Sequence, residues 1–562
     1  MKIKYKNFAL MALLAILVSA CGGGAAATQA PASTEAPAVT EAPTSSGPAV
    51  LHIGWLTQPD TLNPAYAFLT PAYIVFDLIY SPLVTEDKNG NYVGALAQDW
   101  SASDDGLTWT FTLKDGLKWH NGEDVTAEQV AWTINAIMTN PEGWAALSNY
   151  ANGFSKVTAS DDKTVVITTK QPIANMEYRL SFLYAVYPPD FEKFTTTEDL
   201  QNFPNDHPIG TGMFKVNTFD KDKGVLILDS NKDFFDGPAR IDQVIYQTFD
   251  SSDALVQALK VGDVDALDEV PASAFETVKG FENIHTTSTD GRSFTELIIN
   301  SVDEKNDPAP TGNPALKDPA VRLAMETATN RQDLIDIVLQ GLGSPGDTIV
   351  PPTLGGGFWH SPNIKLPEFN IDQANKILDD AGYTLGADGV REKDGNRLDF
   401  RLQFSSSEAA YPRVADLLTG WFSQIGIKTT PEAVDEDALI ASTTGVGDYD
   451  LVIWGWGSDP DPDFILSVLL TDQFVSGGWS DSGYHNPEYD QLYLDQQAAV
   501  DRNKRQEIIW KMQEMAYNDR PYLVLYYFKD LTAYNSSKFT GFVESPLGID
   551  DDSSLAQVVP VK

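Results

Sequence analysis

The segment 95–136, ALAQDWSASDDGLTWTFTLKDGLKWHNGEDVTAEQVAWTINA, decides how the rest of this sequence is interpreted. Apolar and polar residues alternate in Trp109–Leu113 (WTFTL), and this period of two predicts a β-strand. A helical pattern begins at Val125 and continues to about Met138. Thr126 is placed to cap the N-terminus of this helix, and an acidic residue follows in the first turn. The segment therefore indicates a chain that mixes strands and helices.

The same criteria extend outward from this segment and give mixed α/β secondary structure along the whole chain. Strands are predicted at residues 51–55, 165–168, 225–228 and 450–454. Helices are predicted at residues 253–261, 320–340, 373–381, 411–424 and from 487 to about 517. Residues 48–562 are too many for one hydrophobic core, so two or three domains are expected.

The N-terminus has the pattern of an export signal. Three lysines precede an apolar run at residues 8–18, which is too short to span a bilayer and ends in small residues. Residues 1–20 are therefore predicted to be a cleaved signal peptide. Cys21 follows directly, in a context that resembles a bacterial lipobox, so we expect it to be lipidated. The alternative is a plain cleaved signal followed by an incidental cysteine.

Residues 21–47 are rich in Ala, Pro and Thr and show no apolar periodicity, so they cannot build a core. They are interpreted as a linker that holds a globular body away from a membrane. Cys21 is the only cysteine in the sequence, which excludes a disulfide within one chain. After the signal peptide, no further apolar run is long enough to span a membrane.

Composition and charge exclude several classes of partner. The formal net charge is −40, which argues against nucleic acid and against an anionic membrane surface as direct partners. The apolar fraction of 42% is that of a folded protein. Twelve tryptophans offer large flat surfaces for contact with a ligand.

No motif for a metal, a cofactor or a catalytic group is found, so we predict no metal site, no cofactor and no enzyme. The six histidines offer no zinc-binding pair, and the glycine clusters lack nucleotide-binding spacing. The run Asp459-x-Asp461-x-Asp463 also fails as a calcium loop. Positions six and twelve of that loop would be Phe464 and Leu470, where glycine and glutamate are needed. Acidic pairs are too numerous to assign or exclude a glycosidase.

Several stretches together resemble family 5 of the extracellular solute-binding proteins, the oligopeptide- and dipeptide-binding proteins of ABC importers. Segment 95–136 resembles the most diagnostic stretch of that family. The other stretches that carry the resemblance are residues 51–67, 207–216, 259–267, 318–345, 402–427 and 449–466. Together they extend over nearly the whole chain after the linker.

The resemblance implies an α/β, two-lobed periplasmic-binding-protein fold of the class II-like, large cluster C type. An additional domain is inserted in lobe I of this fold, and the ligand is enclosed between lobes that close about a hinge. The expected boundaries are lobe I at 48–95, 206–290 and 527–562, the inserted domain at 96–205, and lobe II at 291–526.

The resemblance also places a ligand site in the stretch WGWGSDPDPDF, residues 454–464. Peptide-binding members carry a Trp-x-x-Asp element whose aspartate binds the ligand ammonium group, and Trp456 and Asp459 match it. Trp454 and Trp456 flank Gly455 and share one strand face, where they could contact a ligand or belong to the core. Asp459 could instead cap the following helix. Asp461 and Asp463 are expected to face solvent or to cap a helix.

Ser405 matches a polar pocket position of the family, although a loop-capping serine is an alternative. Two positions depart from the family pattern. Ile453 stands where tripeptide binders carry an arginine for the ligand carboxylate, and Glu436 stands near the position of a pocket tryptophan. Peptides are therefore expected as ligands, but other amines, oligosaccharides and similar solutes remain open.

The sequence thus predicts a substrate-binding lipoprotein of an ABC importer that delivers a small solute to a membrane permease. We expect an exported monomer, anchored to the outer face of the cell membrane through Cys21. Three alternatives remain: a binder of oligosaccharide or another non-peptide solute on the same fold, an exported peptide or glycan hydrolase, and a non-transport receptor or chaperone on the same fold.

Overall fold

The computed structural model describes residues 47–302, 312–476, 478–545 and 548–561. The predicted signal peptide, Cys21 and the linker up to residue 46 lie outside the described residues. In the described ranges, no helix combines the length and the apolar character that crossing a bilayer requires.

Short strands and helices alternate in the first part of the chain: β1 (Val50–Trp55), α1 (Thr70–Ile79), β2 (Val84–Glu86), β3 (Tyr92–Gly94), β4 (Ala97–Ala102), β5 (Thr108–Leu113), α2 (Ala127–Thr139), β6 (Phe154–Asp161), β7 (Thr164–Thr169), α3 (Met176–Ser181), α4 (Pro188–Phe191) and α5 (Thr197–Gln201). The next part ends in a long strand: β8 (Phe214–Asp220), β9 (Val225–Ser230), β10 (Gln243–Thr248), α6 (Ser252–Val261), β11 (Ala266–Leu267), α7 (Phe275–Lys279) and β12 (Ile284–Ile299).

Helices predominate after β12, and a second long strand follows them: α8 (Pro319–Thr327), α9 (Arg331–Ile337), β13 (Gly343–Pro345), α10 (Ile371–Asp380), β14 (Thr384–Leu385), β15 (Arg391–Lys393), β16 (Asn396–Arg397), β17 (Asp399–Ser405), α11 (Tyr411–Ser423), β18 (Lys428–Val434), α12 (Glu436–Thr443), β19 (Leu451–Gly457), α13 (Asp463–Ser467), α14 (Pro487–Ala498), α15 (Arg502–Asp519) and β20 (Tyr522–Asn535). The chain ends with β21 (Phe539–Thr540), α16 (Asp552–Leu555) and β22 (Val559–Pro560).

The helix predicted from the diagnostic segment is confirmed, together with its cap. Thr126 accepts a hydrogen bond from the Gln129 amide, and the Gln129 side chain accepts one from the Thr126 amide. This capping box satisfies amide groups that have no partner within the helix.

Two predicted long helices are wrong, because each is divided by a polar residue that caps a second helix. The span 320–340 contains α8 and α9, and the Asn330 side chain accepts from the Asp333 amide at the start of α9. The span 487–517 contains α14 and α15, and Asp501 accepts from the Lys504 amide at the start of α15. Short polar side chains compete in this way with the helical pattern of backbone hydrogen bonds.

A single large sheet runs through most of the described chain, in the order β18-β17-β19-β12-β20-β11-β1-β10-β9-β8, with β13 also paired to β20. The first half of this sheet comprises β8, β9, β10, β1 and β11, and the second half comprises β19, β17 and β18. The 16-residue strand β12 and the 14-residue strand β20 pair with each other and belong to both halves. Their register is interrupted between Asp290 and Phe294.

The buried apolar residues separate along the same division. One cluster joins Leu51 and Phe214 of the first half to Phe111 and Ile167 of a separate sheet, β4-β5-β7-β6. Two other clusters pack on opposite faces of the second half. The strands β12 and β20 therefore connect two bodies, each with its own hydrophobic core.

Candidate ligand-binding site

The two predicted tryptophans lie on one face of β19, as expected. In the antiparallel register, Trp454 is opposite Glu296 and Trp456 is opposite Phe294 of β12. Both indoles are half-buried against the core on that face. Each tryptophan therefore contributes to the core and also keeps an accessible part, and its predicted contact with a ligand stays a prediction.

The Trp456 indole begins a chain of aromatic contacts that reaches the surface. Its ring meets Phe464 edge-on at a centroid distance of 6.0 Å, and Phe464 meets Trp479 at 5.4 Å. Trp479 is 50% exposed. Aromatic surface is thus continuous from the centre of the second half to solvent.

Gly455 faces the opposite side of the sheet, next to the side chains of Tyr411 and Thr295. A Cβ atom at this position would lie 2.8 Å from the carbonyl oxygen of Phe294 and 3.2 Å from the Tyr411 hydroxyl. Gly455 therefore permits close packing of β19 against β12. Its predicted role in ligand binding stays a prediction.

Gly455→Ala should lower the free energy of unfolding by about 1–3 kcal/mol, because the added methyl group meets a backbone atom that is held in the sheet. Chemical denaturation would measure this change. Gly420→Ala is the control, since a Cβ atom there meets nothing within 4 Å. Equal stability of the two variants would contradict the close packing.

Asp459 lies just after β19 and receives a hydrogen bond from a distant part of the chain. The Tyr178 hydroxyl donates to Asp459 Oδ2 at 2.6 Å, and the two residues are 281 positions apart. Asp459 is half-buried. Burial raises the pKa of its carboxyl group, and the Tyr178 hydrogen bond opposes that shift. The carboxylate is therefore held between the two bodies of the molecule, not in a helix cap.

Tyr178 belongs to an aromatic cluster that the sequence did not indicate. Its ring packs edge-on against Tyr150 and Phe182, at centroid distances of 5.9 and 5.5 Å. Tyr150 and Phe182 stack on each other at 4.6 Å. These residues carry no motif or spacing, and only the fold brings them to Asp459.

A second contact between the bodies lies beside Asp459. Arg292, in the irregular part of β12, donates from Nη2 to Glu86 Oε1 at 2.8 Å. The carbonyl oxygen of Arg292 accepts from the Ser458 amide at 3.0 Å, immediately before Asp459. The positive charge of Arg292 also lowers the pKa of Asp459. This arginine thus ties the carboxylate segment to the crossing strands.

Ser405 is buried at the end of β17 and is held in a loop network. Its hydroxyl lies 2.7 Å from Ser407 Oγ and 3.3 Å from Glu436 Oε2. Ser407 also donates to Glu436 at 2.7 Å. These contacts favour the loop-capping alternative for Ser405, and its ligand-binding role stays a prediction.

The prediction that Asp461 faces solvent is wrong. This residue is 1% exposed and accepts two hydrogen bonds from Arg505, at 2.5 and 2.6 Å. It also accepts from the Asp463 amide at 3.0 Å, although the N-cap residue of α13 is Pro462 and not Asp461. Asp463 in turn accepts from Gln496 at 2.6 Å. Of the three aspartates, only Asp461 has a charged partner within hydrogen-bonding distance among the described residues.

Behind the tryptophans lies a pair of buried acids that sequence reasoning missed. Glu296 is fully buried, and its carboxyl oxygens have no hydrogen-bond partner among the described residues. Asp481 is also buried and accepts from the Tyr522 hydroxyl and from Trp456 Nε1. Burial and the charge of Asp481 raise the pKa of Glu296 well above its ordinary value.

Comparison with known proteins assigns this chain to a family. Residues 91–476 match the family described as bacterial extracellular solute-binding proteins, family 5 middle. The chain belongs to family 5 of the bacterial extracellular solute-binding proteins. Within the described residues of this family 5 chain, no group of three His, Cys, Asp or Glu residues is placed to hold a metal ion.

Two curated relatives of this family 5 protein are similar over most of its length. The oligopeptide-binding protein AppA of Bacillus subtilis is 26% identical over 93% of this chain and 94% of its own. The nickel-binding periplasmic protein of Escherichia coli is 24% identical over 86% of this chain and 90% of its own.

A solved structure has the same fold. The ABC transporter substrate-binding protein CtaP of Listeria monocytogenes is 23% identical, covers 92% of this chain and all of its own, and superposes with a TM-score of 0.77. The two-lobed α/β fold of family 5 is thereby confirmed, and the two bodies joined by β12 and β20 are its lobes. Family 5 consists of binding proteins that act outside the cytoplasm.

Proposed function

We propose that this chain is the substrate-binding subunit of an ABC importer, that it captures peptides between its two lobes, and that it delivers them to a membrane permease. The names of AppA and CtaP, an oligopeptide-binding protein and an ABC transporter substrate-binding protein, support this proposal. We place lobe I at 48–95, 206–290 and 527–562, the inserted domain at 96–205, and lobe II at 291–526. No covalent chemistry takes place at this site.

The observation that carries the proposal is the hydrogen bond between Asp459 and Tyr178. It connects lobe II to the inserted domain, so the carboxylate lies where the lobes meet. An ammonium group bound there would form a charge-assisted hydrogen bond of about 1.5–3 kcal/mol. The accessible parts of Trp454 and Trp456 would flank the apolar part of the same ligand.

The cellular place of the protein follows from the same proposal. Export by the signal peptide and lipidation of Cys21 would hold a monomeric binding protein at the outer face of the membrane, beside its permease. The linker would give the lobes the reach to dock on that permease.

A binder of a non-peptide solute is the second candidate. It is favoured by the relative named as a nickel-binding protein, since it shows that one fold serves different solutes. Tripeptide binders of the family carry an arginine for the ligand carboxylate where this chain has Ile453. A ligand that has no carboxylate is therefore also compatible with this position.

Asp459→Asn should weaken binding of a peptide with a free amino terminus by at least about tenfold, or roughly 1.4 kcal/mol. The reason is that the amide cannot pair with an ammonium group. Isothermal titration would measure the change, with the best-binding peptide from a thermal-shift screen of di- to hexapeptides.

The same peptide with an acetylated amino terminus is the control, because it has no ammonium group for Asp459 to recognise. Its affinity should be weak for the wild type and unchanged in the variant. Equal affinity of wild type and variant for the peptide with a free amino terminus would show that Asp459 does not bind the ammonium group. Mass spectrometry should recover the peptide intact, whereas cleavage would support the hydrolase alternative.

A further inference from the structure

Lobe I contains a cavity of about 430 Å³ at the ends of two neighbouring parallel strands. Residues 53–57, at and after the end of β1, line one side of it. Asp268 and Glu269 follow β11 and line another side, together with Asp550 from the C-terminal segment. The carboxyl ends of adjacent parallel strands are a common place for ligands in α/β folds. The volume is also in the range of small-molecule sites.

The polar groups of this cavity are acidic and uncompensated. Asp550 is 2% exposed, and its Oδ1 atom has no hydrogen-bond partner among the described residues. Within the part of the chain that the structure describes, Asp268 accepts only from the Ile549 amide, at 2.6 Å. Burial, with the charges of Asp268 and Asp551, raises the pKa of Asp550 well above its ordinary value. No ion pair of the described residues includes Asp268, Glu269 or Asp550. A buried carboxyl oxygen without a partner therefore borders a space that contains no protein cation.

The walls of the cavity suit the apolar part of a cationic ligand. Trp55 lines it and stacks on Tyr246 at a centroid distance of 4.4 Å. Leu56 and Leu69 also line it and are 38% and 42% exposed. An aromatic face attracts ammonium and guanidinium groups, and apolar walls accommodate the long stems of lysine and arginine.

The cavity is linked electrostatically to the site in lobe II. Asp530 lies on the crossing strand β20. The negative charge of Glu269 raises the pKa of Asp530, and the positive charge of Arg292 lowers it. Arg292 also lowers the pKa of Asp459. The acidic cavity and Asp459 are therefore connected through charges on the crossing strands β12 and β20.

We propose that this cavity of lobe I binds an ammonium or guanidinium group of the ligand, so that the captured peptides are cationic. This proposal rests on the proposed peptide-binding function. The buried carboxyl of Asp550, whose Oδ1 atom has no hydrogen-bond partner among the described residues, receives the cation together with the carboxyls of Asp268 and Glu269. Trp55, Leu56 and Leu69 hold the aliphatic stem.

The test measures the affinity of three probes by isothermal titration at physiological salt: trilysine, the same peptide with all ε-amino groups acetylated, and spermidine. Wild type should bind trilysine at least tenfold tighter than the acetylated peptide. Asp550→Asn should remove most of this difference and leave the acetylated peptide within twofold. Asp253→Asn, on the exposed start of α6, removes the same charge and should change neither affinity.

The melting temperature distinguishes loss of binding from loss of structure. Because the buried carboxyl of Asp550 destabilises the folded state at neutral pH, Asp550→Asn should melt no lower than wild type at pH 7.5 while it binds trilysine more weakly. A variant that melts lower and binds all probes more weakly would overturn the proposal.

The outcomes separate this proposal from the proposed function. Equal affinity for trilysine and its acetylated form would overturn the cationic site and leave peptide capture standing. Binding of spermidine that Asp550→Asn weakens, without binding of either peptide, would support the site and overturn peptide capture. Binding of none of the three probes would overturn both.

Discussion

Asp461→Ala should lower the free energy of unfolding by about 3–5 kcal/mol, because it leaves the guanidinium of Arg505 buried without its partner. The two side chains are 1% and 3% exposed and share two hydrogen bonds. Arg505 is further held by Gln496 and by the face of Trp359, so it cannot reach solvent without disrupting the core. Urea denaturation monitored by tryptophan fluorescence would measure the loss.

Two controls separate this ion pair from a simple loss of charge. Asp380→Ala removes an aspartate from an exposed pair with Lys376 and should change stability little. Asp461→Leu combined with Arg505→Met replaces the buried pair by apolar groups and should recover much of the lost stability. If Asp461→Ala were no worse than Asp380→Ala, the buried ion pair would not stabilise this region.

Glu296→Gln should raise the free energy of unfolding at pH 8 and should change it much less at pH 5. Burial and the charge of Asp481 raise the pKa of Glu296 in the folded protein, so its carboxyl keeps the proton to a higher pH than in the unfolded chain, where the ordinary value is 4.5. The folded state therefore binds more protons, and stability falls as the pH rises towards the folded pKa. Each pH unit between the ordinary pKa and the folded pKa of Glu296 lowers the free energy of unfolding by about 1.4 kcal/mol. Glutamine does not ionise and causes no such loss.

Denaturation curves of wild type and variant at several pH values between 5 and 8.5 would measure this difference. Glu282→Gln, at an exposed position, is the matched control and should leave the curves parallel. A stability difference for Glu296→Gln that does not depend on pH would show that Glu296 is ionised in the folded protein at every pH tested. That result would contradict the effect of burial on its carboxyl group.

The sequence predicted the elements whose determinants are local. The period of two in WTFTL and the cap at Thr126 act over a few residues, and β5 and α2 form where these patterns place them. The breaks at Asn330 and Asp501 were missed because apolar periodicity continues across them, while one side chain caps a new helix. The order of the strands in the large sheet also needed the structure, since β1 pairs with β10 and β11 across long intervals of sequence.

In the candidate site, too, the sequence predicted only the features that depend on local geometry. The common face of Trp454 and Trp456 follows from strand geometry alone, so the sequence was sufficient for it. Tyr178 reaches Asp459 only because two lobes meet there, and no local pattern marks it. Asp461 resembles its neighbours in sequence, but its environment depends on Arg505, which lies 44 residues away in helix α15.

The hydrophobic cluster that contains Leu51 and Phe214 also has a consequence for folding during synthesis. Leu51 and Ile53 share their cluster with Phe539, Ile549 and Val558, which come much later in the chain. Lobe I therefore cannot complete its packing until these later residues have been synthesised. A nascent chain that stays incompletely packed for so long is a better substrate for threading through a translocation channel than one that folds from its N-terminus as it emerges.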